Sequence, residues 1–493
     1  MVENGRESKV TFRDVINSMN YNVKLVFAFY ITSSLGRGIW MGNVLSTYIY
    51  LFAEGGGGLL GLSSNVVLGL TSAASGITMT LFVFPAGFMA DKFRRDIILK
   101  SATGIGLASM GFLIFGNSIV FIFISLLLWG LFNALVRPSL EALFADSVES
   151  GYRSKIYSWG HLVRQIAMAL GPFINIGLFF IFGDEWNLTI LRSVMIVGLA
   201  ISLISIALMF FFKDNKALGM ESEEIAEEVV ESVPKVEKAS TKAENGWNIT
   251  SRLANLDNEK KKKLIPIILV SSNVIIGVGA GMTIKYFPIF FMTMPQYGLS
   301  PVWLQVVMGA TALVTGIFGV VAQKISLKLG RVQTIFYVQF IATTCLLFIA
   351  VYPPLGILLP LFILRGSFMN AGQPLSRSIL MDVIPKTNRG KWNSLEAIAW
   401  GLFWNVSAVI GGFLIGDTNR FNLCFIITTF VYIIGMIPII FLMPLVGKEK
   451  EAKEIENNID ELSSEDVEPF DEVFGEAEPI KSDTSELEIE ASS

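Results

Sequence analysis

The chain has 493 residues, of which 52% are hydrophobic and only 16% are charged, and its formal net charge is -4. Soluble domains carry roughly 25% charged residues, so this composition and the mean hydropathy of +0.58 exclude an ordinary soluble protein. Two cysteines and one histidine exclude a disulfide framework and a histidine-rich metal site. We therefore expect neither a bound metal nor a cofactor.

The hydrophobic runs of the sequence are long enough to cross a membrane. Many reach about 20 residues, the length that a helix needs to span roughly 30 Å of hydrocarbon, and they do not alternate as barrel strands do. The first run is too long for a cleaved signal. The sequence predicts an all-α membrane protein with twelve transmembrane helices: 24–50, 63–90, 96–116, 118–144, 156–182, 189–212, 264–292, 301–326, 332–352, 355–381, 392–416 and 420–446.

Polar segments divide these helices into two groups of six. A charged linker at 213–263 separates an N-terminal six-helix bundle, 24–212, from a C-terminal one, 264–446. A polar segment, 1–23, precedes the first bundle and an acidic tail, 447–493, follows the second. The linker and the tail contain too little apolar surface to bury, so we expect both to be disordered or loosely helical.

Lysine and arginine are concentrated in alternate loops. The loops between them, such as "GDEWN" and "TMPQYGLS", carry almost none. The positive-inside rule therefore predicts that both termini are cytoplasmic, and we expect a monomer in the plasma membrane. The basic loop residues are Lys92, Arg94, Arg95, Arg153, Lys155, Lys324, Lys328, Arg331, Lys386, Arg389 and Lys391.

A short charged pattern occurs twice in the chain. "ADSVESGYRSKIYS" follows the fourth predicted helix and "MDVIPKTNRGKWNS" follows the tenth. Equivalent residues are 236 positions apart, namely Pro138 and Pro374, Asp146 and Asp382, Arg153 and Arg389, Lys155 and Lys391, and Ser158 and Ser394. This spacing predicts that the two bundles are copies of one six-helix unit.

The loop between predicted helices 2 and 3 reads "GFMADKFRRD" and supplies Gly87, Asp91, Lys92 and Arg95. It resembles the signature loop Gly-x3-Asp-Arg/Lys-x-Gly-Arg-Arg/Lys of the major facilitator superfamily, with Arg94 in place of the second glycine. The second-half counterpart keeps Gly330 and Arg331 but has Gln323 instead of the acid. Residues 20–445 are thus similar to this family, which implies a secondary active transporter that works by alternating access, and not an enzyme.

The resemblance also implies a role for charges near the cytoplasmic helix ends. In the family, such loop motifs are understood to pair charges across helix ends and to hold the inner side shut. The alternative is that they are interfacial charges and helix caps. The residues concerned are Gly87, Asp91, Lys92, Arg95, Arg137, Asp146, Arg153, Arg377, Asp382 and Arg389.

Three basic residues lie deeper in predicted spans: Arg37, Lys285 and Arg365. In the family, helices 1, 4, 7 and 10 line the central cavity. Because an unpaired arginine in hydrocarbon needs an anion, water or carbonyl groups, we hypothesise that Arg37 and Lys285 clamp an anionic substrate. The alternative is that Arg37 binds carbonyls of a neighbouring helix and Lys285 extends to the outer face.

Further polar and aromatic residues complete the candidate substrate site, although tryptophans can equally serve in packing. These are Trp40, Asn370, Gln373, Trp400 and Trp404. Glu141 and Glu396 are candidates for proton coupling, because a carboxylate in a low-dielectric place has a raised pKa. Alternatively, Glu141 and Arg137, one turn apart, neutralise each other as a structural pair.

The sequence favours a transporter of a small organic anion, with a proton or exchange couple. Gly171-Pro172 resembles an antiporter motif and leaves open an exporter of drug-like compounds. A third possibility is a receptor or scaffold on the same fold that uses the linker and tail for partners. No nucleotide-binding motif is present, so we expect neither ATP-driven transport nor nucleic-acid binding, and the partners are solute, lipid and a coupling ion.

Overall fold

The structure is a computed structural model that describes residues 20–57, 59, 61–148, 153–218, 258–384 and 386–446. The segment before residue 20, most of the predicted linker and the whole acidic tail lie outside the described residues. Over the described part of the chain, every regular element is helical.

The N-terminal half contains helices α1 to α7, and the C-terminal half contains α8 to α15. The first set is α1 (Tyr21–Trp40), α2 (Asn43–Phe52), α3 (Ser64–Lys92), α4 (Arg95–Phe115), α5 (Ile119–Ala145), α6 (Arg153–Phe182) and α7 (Leu188–Leu208). The second set is α8 (Asn258–Thr283), α9 (Phe287–Thr293), α10 (Pro301–Leu329), α11 (Arg331–Ile349), α12 (Leu355–Ala371), α13 (Gln373–Val383), α14 (Lys386–Ile415) and α15 (Phe421–Val446).

Ten helical stretches of the described chain are long and apolar enough to cross a membrane. The first and eleventh predicted spans are not among them. The first is split into segments of 20 and 10 residues, and the apolar part of the eleventh, Gly401–Ile415, is short. The all-helical membrane fold is therefore confirmed, whereas the count of twelve spans stays a prediction.

Three predicted spans are interrupted where a single straight helix was expected. The first breaks at Gly42, whose φ of 78° lies in the region that favours glycine. The seventh passes through a 3-10 turn, Ile284–Tyr286, between α8 and α9. The tenth breaks at Gly372, where α12 ends and α13 begins.

The two halves contact each other mainly through two pairs of helices: α3 packs on α14, and α6 packs on α10, while α2 makes a smaller contact with α9. These pairs are related by the sequence duplication, because α10 is the copy of α3 and α14 is the copy of α6. Glycines allow the close approach of α3 and α14. A Cβ atom on Gly69 would lie 2.6 Å from the Ala408 carbonyl oxygen, and one on Gly412 would lie 2.5 Å from that of Asn65.

The bundle has two distinct ends. We call the end at which α3 is followed by Arg95, and α10 by Arg331, the charged end, and we call the other the opposite end. Hydrogen bonds across the halves gather at the opposite end, where the Val302 amide donates to Asp184 (2.8 Å) and the Trp186 indole to the Leu299 carbonyl (2.7 Å). The halves are thus joined at the opposite end.

A close contact also fixes α1 against α6 within the N-terminal half. Gly38 and Gly171 face each other so closely that a Cβ atom on Gly171 would overlap the Gly38 backbone. Gly171, the glycine of the Gly171-Pro172 motif, therefore has a packing role in this structure.

We expect Gly171→Ala to lower the melting temperature of the purified protein, because overpacking a tight contact typically costs about 1–3 kcal/mol. The matched control is Gly104→Ala on α4, where an added Cβ would meet nothing within 4 Å. Alanine favours a helix over glycine, so the control should melt at the same or a higher temperature. Equal melting of both variants would contradict the packing role.

Candidate functional site

Arg37 is the deepest basic residue of α1 that faces other charges. Its side chain is partly buried, and its Nε atom is buried without a hydrogen-bond partner among the described residues. The positive charges of Arg137 on α5 and Arg164 on α6 act on it. Three arginines from three helices therefore converge, although the sequence placed Arg137 with the gate residues.

Tyr30 lies beside these arginines, about two turns before Arg37 on α1. The guanidinium carbon of Arg164 is 5.6 Å from the centroid of the Tyr30 ring, a cation–π distance. The charges of Glu141 and Arg137 also act on the Tyr30 hydroxyl. This carboxylate is therefore in the same region as the arginines, and its side chain is exposed.

The group extends across to the C-terminal half. Arg164 lies 3.2 Å from His161 through Nη2 and Nδ1, and the charge of Arg377 on α13 acts on His161. His161 and Arg377 are both exposed. They therefore face a space between the halves that is open, in contrast to the joined opposite end. We call Arg37, Arg137, Arg164 and Arg377 the basic cluster.

Lys285 lies in a different environment from the basic cluster. Its Nζ atom donates to Asn405 Oδ1 on α14 at 3.2 Å, and Ser72 Oγ on α3 donates to the same oxygen at 3.3 Å. Among the described contacts, none joins Lys285 to Arg37. The predicted clamp joins Arg37 and Lys285 through a bound anion, so it stays a prediction.

Arg365 is packed inside the C-terminal half and is 4% exposed. Its Nη2 atom donates to the Tyr432 hydroxyl at 3.0 Å and lies 3.4 Å from Thr283 Oγ1. The guanidinium carbon is 4.9 Å from the centroid of the Phe287 ring. These neutral partners hold Arg365 beside the break in the seventh span. Its Nε atom, like that of Arg37, is buried without a hydrogen-bond partner among the described residues, so its role in substrate binding stays a prediction.

The remaining candidates for substrate contact separate by exposure. Trp40 is 1% exposed and donates through Nε1 to Ser202 at 3.1 Å, which makes it a core residue. Asn370 and Gln373 are exposed and bonded to each other at 3.1 Å, next to the break at Gly372. Trp404 is partly buried. The side chains of Trp400 and Glu396 lie outside the described residues.

The charged end carries two equivalent ion pairs. Arg95 at the start of α4 pairs with Asp146 at the end of α5, and Arg331 at the start of α11 pairs with Asp382 on α13 at 2.5 Å. Each residue of the second pair lies 236 positions after its counterpart. The sequence analysis placed both aspartates in the repeat but missed Arg331 as a partner, which the same spacing applied to Arg95 would have found.

The other residues assigned to the gate are only partly described. Gly87 has open space around it and Lys92 is exposed. The side chains of Asp91, Arg153 and Arg389 lie outside the described residues. The Arg95–Asp146 and Arg331–Asp382 pairs each join two helices of the same half, so the gate role stays a prediction.

The chain leaves the N-terminal half beside the first ion pair. The Arg95 amide donates to Asp214 Oδ2 at 3.4 Å, and the Leu218 amide donates to the Asp146 carbonyl at 2.8 Å. The first residues of the linker are therefore fastened to the corner where α4 and α5 meet.

The sequence model of the Major Facilitator Superfamily matches residues 15–364 and 339–475, which together cover nearly the whole chain. The chain belongs to the Major Facilitator Superfamily. It is accordingly an integral, multi-pass membrane transporter, and members of this family are typically not enzymes. The resemblance inferred from the "GFMADKFRRD" loop and the duplication is confirmed.

Solved structures of other transporters share the superfamily fold. A bacterial homologue of the iron transporter ferroportin, in an inward-facing state, has a TM-score of 0.59 at 14% identity and covers 85% of this chain and 98% of its own. The nucleoside transporter NupG gives 0.60 at 11% identity, over 85% and 98%. A peptide transporter in complex with sulfate gives 0.60 at 14%, over 87% and 95%. At these identities, the likeness shows the fold alone.

One relative is similar at the level of sequence. The Na(+), Li(+), K(+)/H(+) antiporter of Planococcus maritimus is 28% identical over 182 residues, which is 36% of this chain and 40% of the antiporter. The match therefore spans less than half of that relative. It is consistent with a superfamily transporter and leaves the solute of this protein to be argued from its own residues.

We expect Asp146→Asn and Asp382→Asn each to lower the free energy of unfolding by less than about 1 kcal/mol, because both ion pairs are partly exposed. The charge swap of Arg95→Asp with Asp146→Arg should recover part of the loss. Thermal melting of the single and double variants, with exposed Lys92→Gln as control, measures this coupling. Strictly additive effects in the double variant would contradict the pairing.

Proposed function

We propose that this superfamily member is a secondary active transporter of a small organic anion, which binds at the basic cluster between the two halves. The observation that carries the proposal is the buried Nε atom of Arg37, which has no partner among the described residues, beside the charges of Arg137 and Arg164. Glu141 is the carboxylate described beside these arginines, and a single carboxylate leaves the group with a net positive charge.

The physical argument rests on the cost of concentrating like charges. Arginines that lie close together repel each other, and a buried charge without a partner is strongly unfavourable. An anion with a carboxylate or phosphate group relieves both costs, because the planar guanidinium matches it with two parallel hydrogen bonds. We infer that Arg37 provides the deepest contact, and that Arg137, Arg164 and Arg377 attract the anion from the open side.

The transport cycle that fits this site is alternating access. In the proposed arrangement, twelve spans place both termini in the cytoplasm of a cell whose plasma membrane holds the protein. The charged end then faces the cytoplasm, as the positive-inside rule requires. The described conformation corresponds to a cavity open to the cytoplasm, and parting of α3 from α14 and of α6 from α10 would open the other side.

A second candidate function is exchange of a monovalent cation for protons. It is favoured by the similarity to the Planococcus maritimus antiporter and by the exposed carboxylate of Glu141 beside the basic cluster. In that case, addition of NaCl, LiCl or KCl to acid-loaded proteoliposomes would dissipate the pH gradient, and Glu141→Gln would abolish the response. A gradient that is unaffected by all three salts would exclude this candidate.

We expect small carboxylates or phosphorylated metabolites to raise the melting temperature of the protein in detergent. A ligand at a hundredfold excess over its Kd stabilises the folded state by about 2.7 kcal/mol. Arg37→Gln should lose this effect, because the deepest contact is removed. The matched control is Arg420→Gln, since Arg420 is an exposed arginine that donates to Thr418 in a loop at the opposite end.

Two results would contradict the anion proposal. One is stabilisation by anions that is unchanged in Arg37→Gln, which would place the binding site elsewhere. The other is stabilisation by Na⁺, Li⁺ or K⁺ alone, at matched ionic strength and with a common anion, which would favour the antiport candidate. Uptake of the identified anion into proteoliposomes then tests transport itself.

A further inference from the structure

The seventh predicted span is broken at the point where Lys285 occurs. The α-helix ends at Thr283, a 3-10 turn follows over Ile284–Tyr286, and α9 starts at Phe287. Short 3-10 segments inside a longer helix often mark a functional hinge. Lys285 is therefore placed on an irregular turn about two helical turns from the opposite end, where the halves are joined.

The Lys285 amine is connected to the other half by two hydrogen bonds. It donates to Asn405 Oδ1 at 3.2 Å, and this oxygen also accepts from Ser72 Oγ of the N-terminal half at 3.3 Å. The position of Asn405 depends on Gly76 of α3, since a Cβ atom there would overlap the Asn405 side chain. Lysine, asparagine and serine thus form a polar bridge across the contact between α3 and α14.

Beside the bridge, Tyr286 seals the same contact. Its hydroxyl lies 3.1 Å from the Asn65 carbonyl of the N-terminal half and 2.5 Å from the Ala408 carbonyl. This side chain is fully buried. Any movement that parts α3 from α14 therefore breaks the Ser72–Asn405 and Tyr286–Asn65 bonds, while Lys285 stays on Asn405. The opened seam then lets water reach the lysine amine.

The charged and titratable groups around Lys285 do not include a described carboxylate. The stretch 64–90 of α3 and the stretch 401–415 of α14 contain no titratable residue. The neighbouring elements contribute other titratable groups. The Cys424 thiol of α15 donates to the Met282 carbonyl, and Arg365 donates to Thr283. The remaining groups are Tyr48 and Tyr50 of α2, Tyr286, and Glu396 of α14, whose side chain is outside the described residues.

We propose that Lys285 carries a proton whose binding and release are coupled to opening of the opposite end. The inference rests on the proposed transporter function and adds the coupling group to it. An ammonium that contacts only a neutral amide is poorly stabilised while α3 and α14 are closed, and is well hydrated once they part. Proton binding to the amine therefore favours the state that is open at the opposite end.

The proton balance of the cycle is simple. When the opposite end opens, the lone pair of the Lys285 nitrogen takes a proton from water on that side, and the amine becomes an ammonium. When α3 and α14 close again, the ammonium returns the proton to water in the space open at the charged end. One proton then moves per cycle, in a direction set by the gradient.

Spin labels at the opposite end test the coupling without a substrate. Glu185 and Gln296 are exposed, belong to different halves, and flank the Asp184–Val302 and Trp186–Leu299 contacts. Cysteines introduced at these two positions can be labelled selectively, because both native cysteines are buried. The distance between labels in the full-length protein is measured by pulsed electron resonance between pH 5 and pH 10, in nanodiscs, with phosphate-free buffer.

We expect the fraction of long distances to rise as the pH falls. Lys285→Met should remain at short distances at every pH, because no proton can bind, and Lys285→Arg should favour long distances at every pH, because its charge is permanent. The control Lys328→Met changes an exposed lysine on α10 and should keep the wild-type response. All variants are checked for monodispersity by gel filtration.

A wild-type distance that does not change with pH overturns the proposal, and so does a pH response that survives in Lys285→Met. If Lys285→Met does not fold, Lys285→Arg decides, since a wild-type response in that variant also overturns it. None of these results depends on anion binding. Failure of the anion proposal, seen as unchanged stabilisation in Arg37→Gln, is therefore distinguishable from failure of the proton proposal.

Discussion

The contact between α3 and α14 is the interaction on which the rest of this structure depends. In hydrocarbon no hydrophobic effect drives two helices together, so association relies on close packing and on a few polar contacts. Gly69 and Gly412 bring the two backbones close enough for the Tyr286 hydroxyl to reach carbonyl groups on both. This contact joins the halves at one end, and the basic cluster occupies the space that remains open at the other.

Much of this architecture could be predicted from the sequence, because it follows from long-range patterns. Run lengths indicated the helices, and the spacing of 236 residues between Asp146 and Asp382 indicated the duplication. The breaks in the first, seventh and tenth spans could not be predicted in the same way. Pro288 and Pro374 stand in the first turn of the helices that follow the breaks in the seventh and tenth spans, a local signal for a helix start that the sequence analysis did not use. Gly42, in contrast, is one of 44 glycines, and only its backbone in the folded chain distinguishes it.

The candidate site residues were chosen by type and depth, and their contacts could not be predicted. The sequence singled out Arg37, Lys285 and Arg365 by depth, since charges in hydrocarbon are rare and functional. Depth alone does not say which way a side chain points around its helix. Arg37 lies with Arg137 and Arg164, whereas Lys285 contacts Asn405 and Arg365 contacts Tyr432. A family resemblance supplied the fold and could not supply these three different partners.

The hydrogen bond of Leu218 to Asp146 fixes the point from which the chain must reach the C-terminal half. The length of chain beyond that point determines whether the covalent connection restrains relative motion of the halves. Residues 219–257 separate that point from the start of α8, and a chain of this length reaches about 130 Å when fully extended. A rigid-body rotation of either half moves its helix ends by a distance far shorter than this extended length. The length of this connection therefore sets no limit on such a rotation, and in the proposed cycle the barrier to interconversion resides in the non-covalent seam between the halves. Cutting the peptide chain within this connection should leave that barrier unchanged.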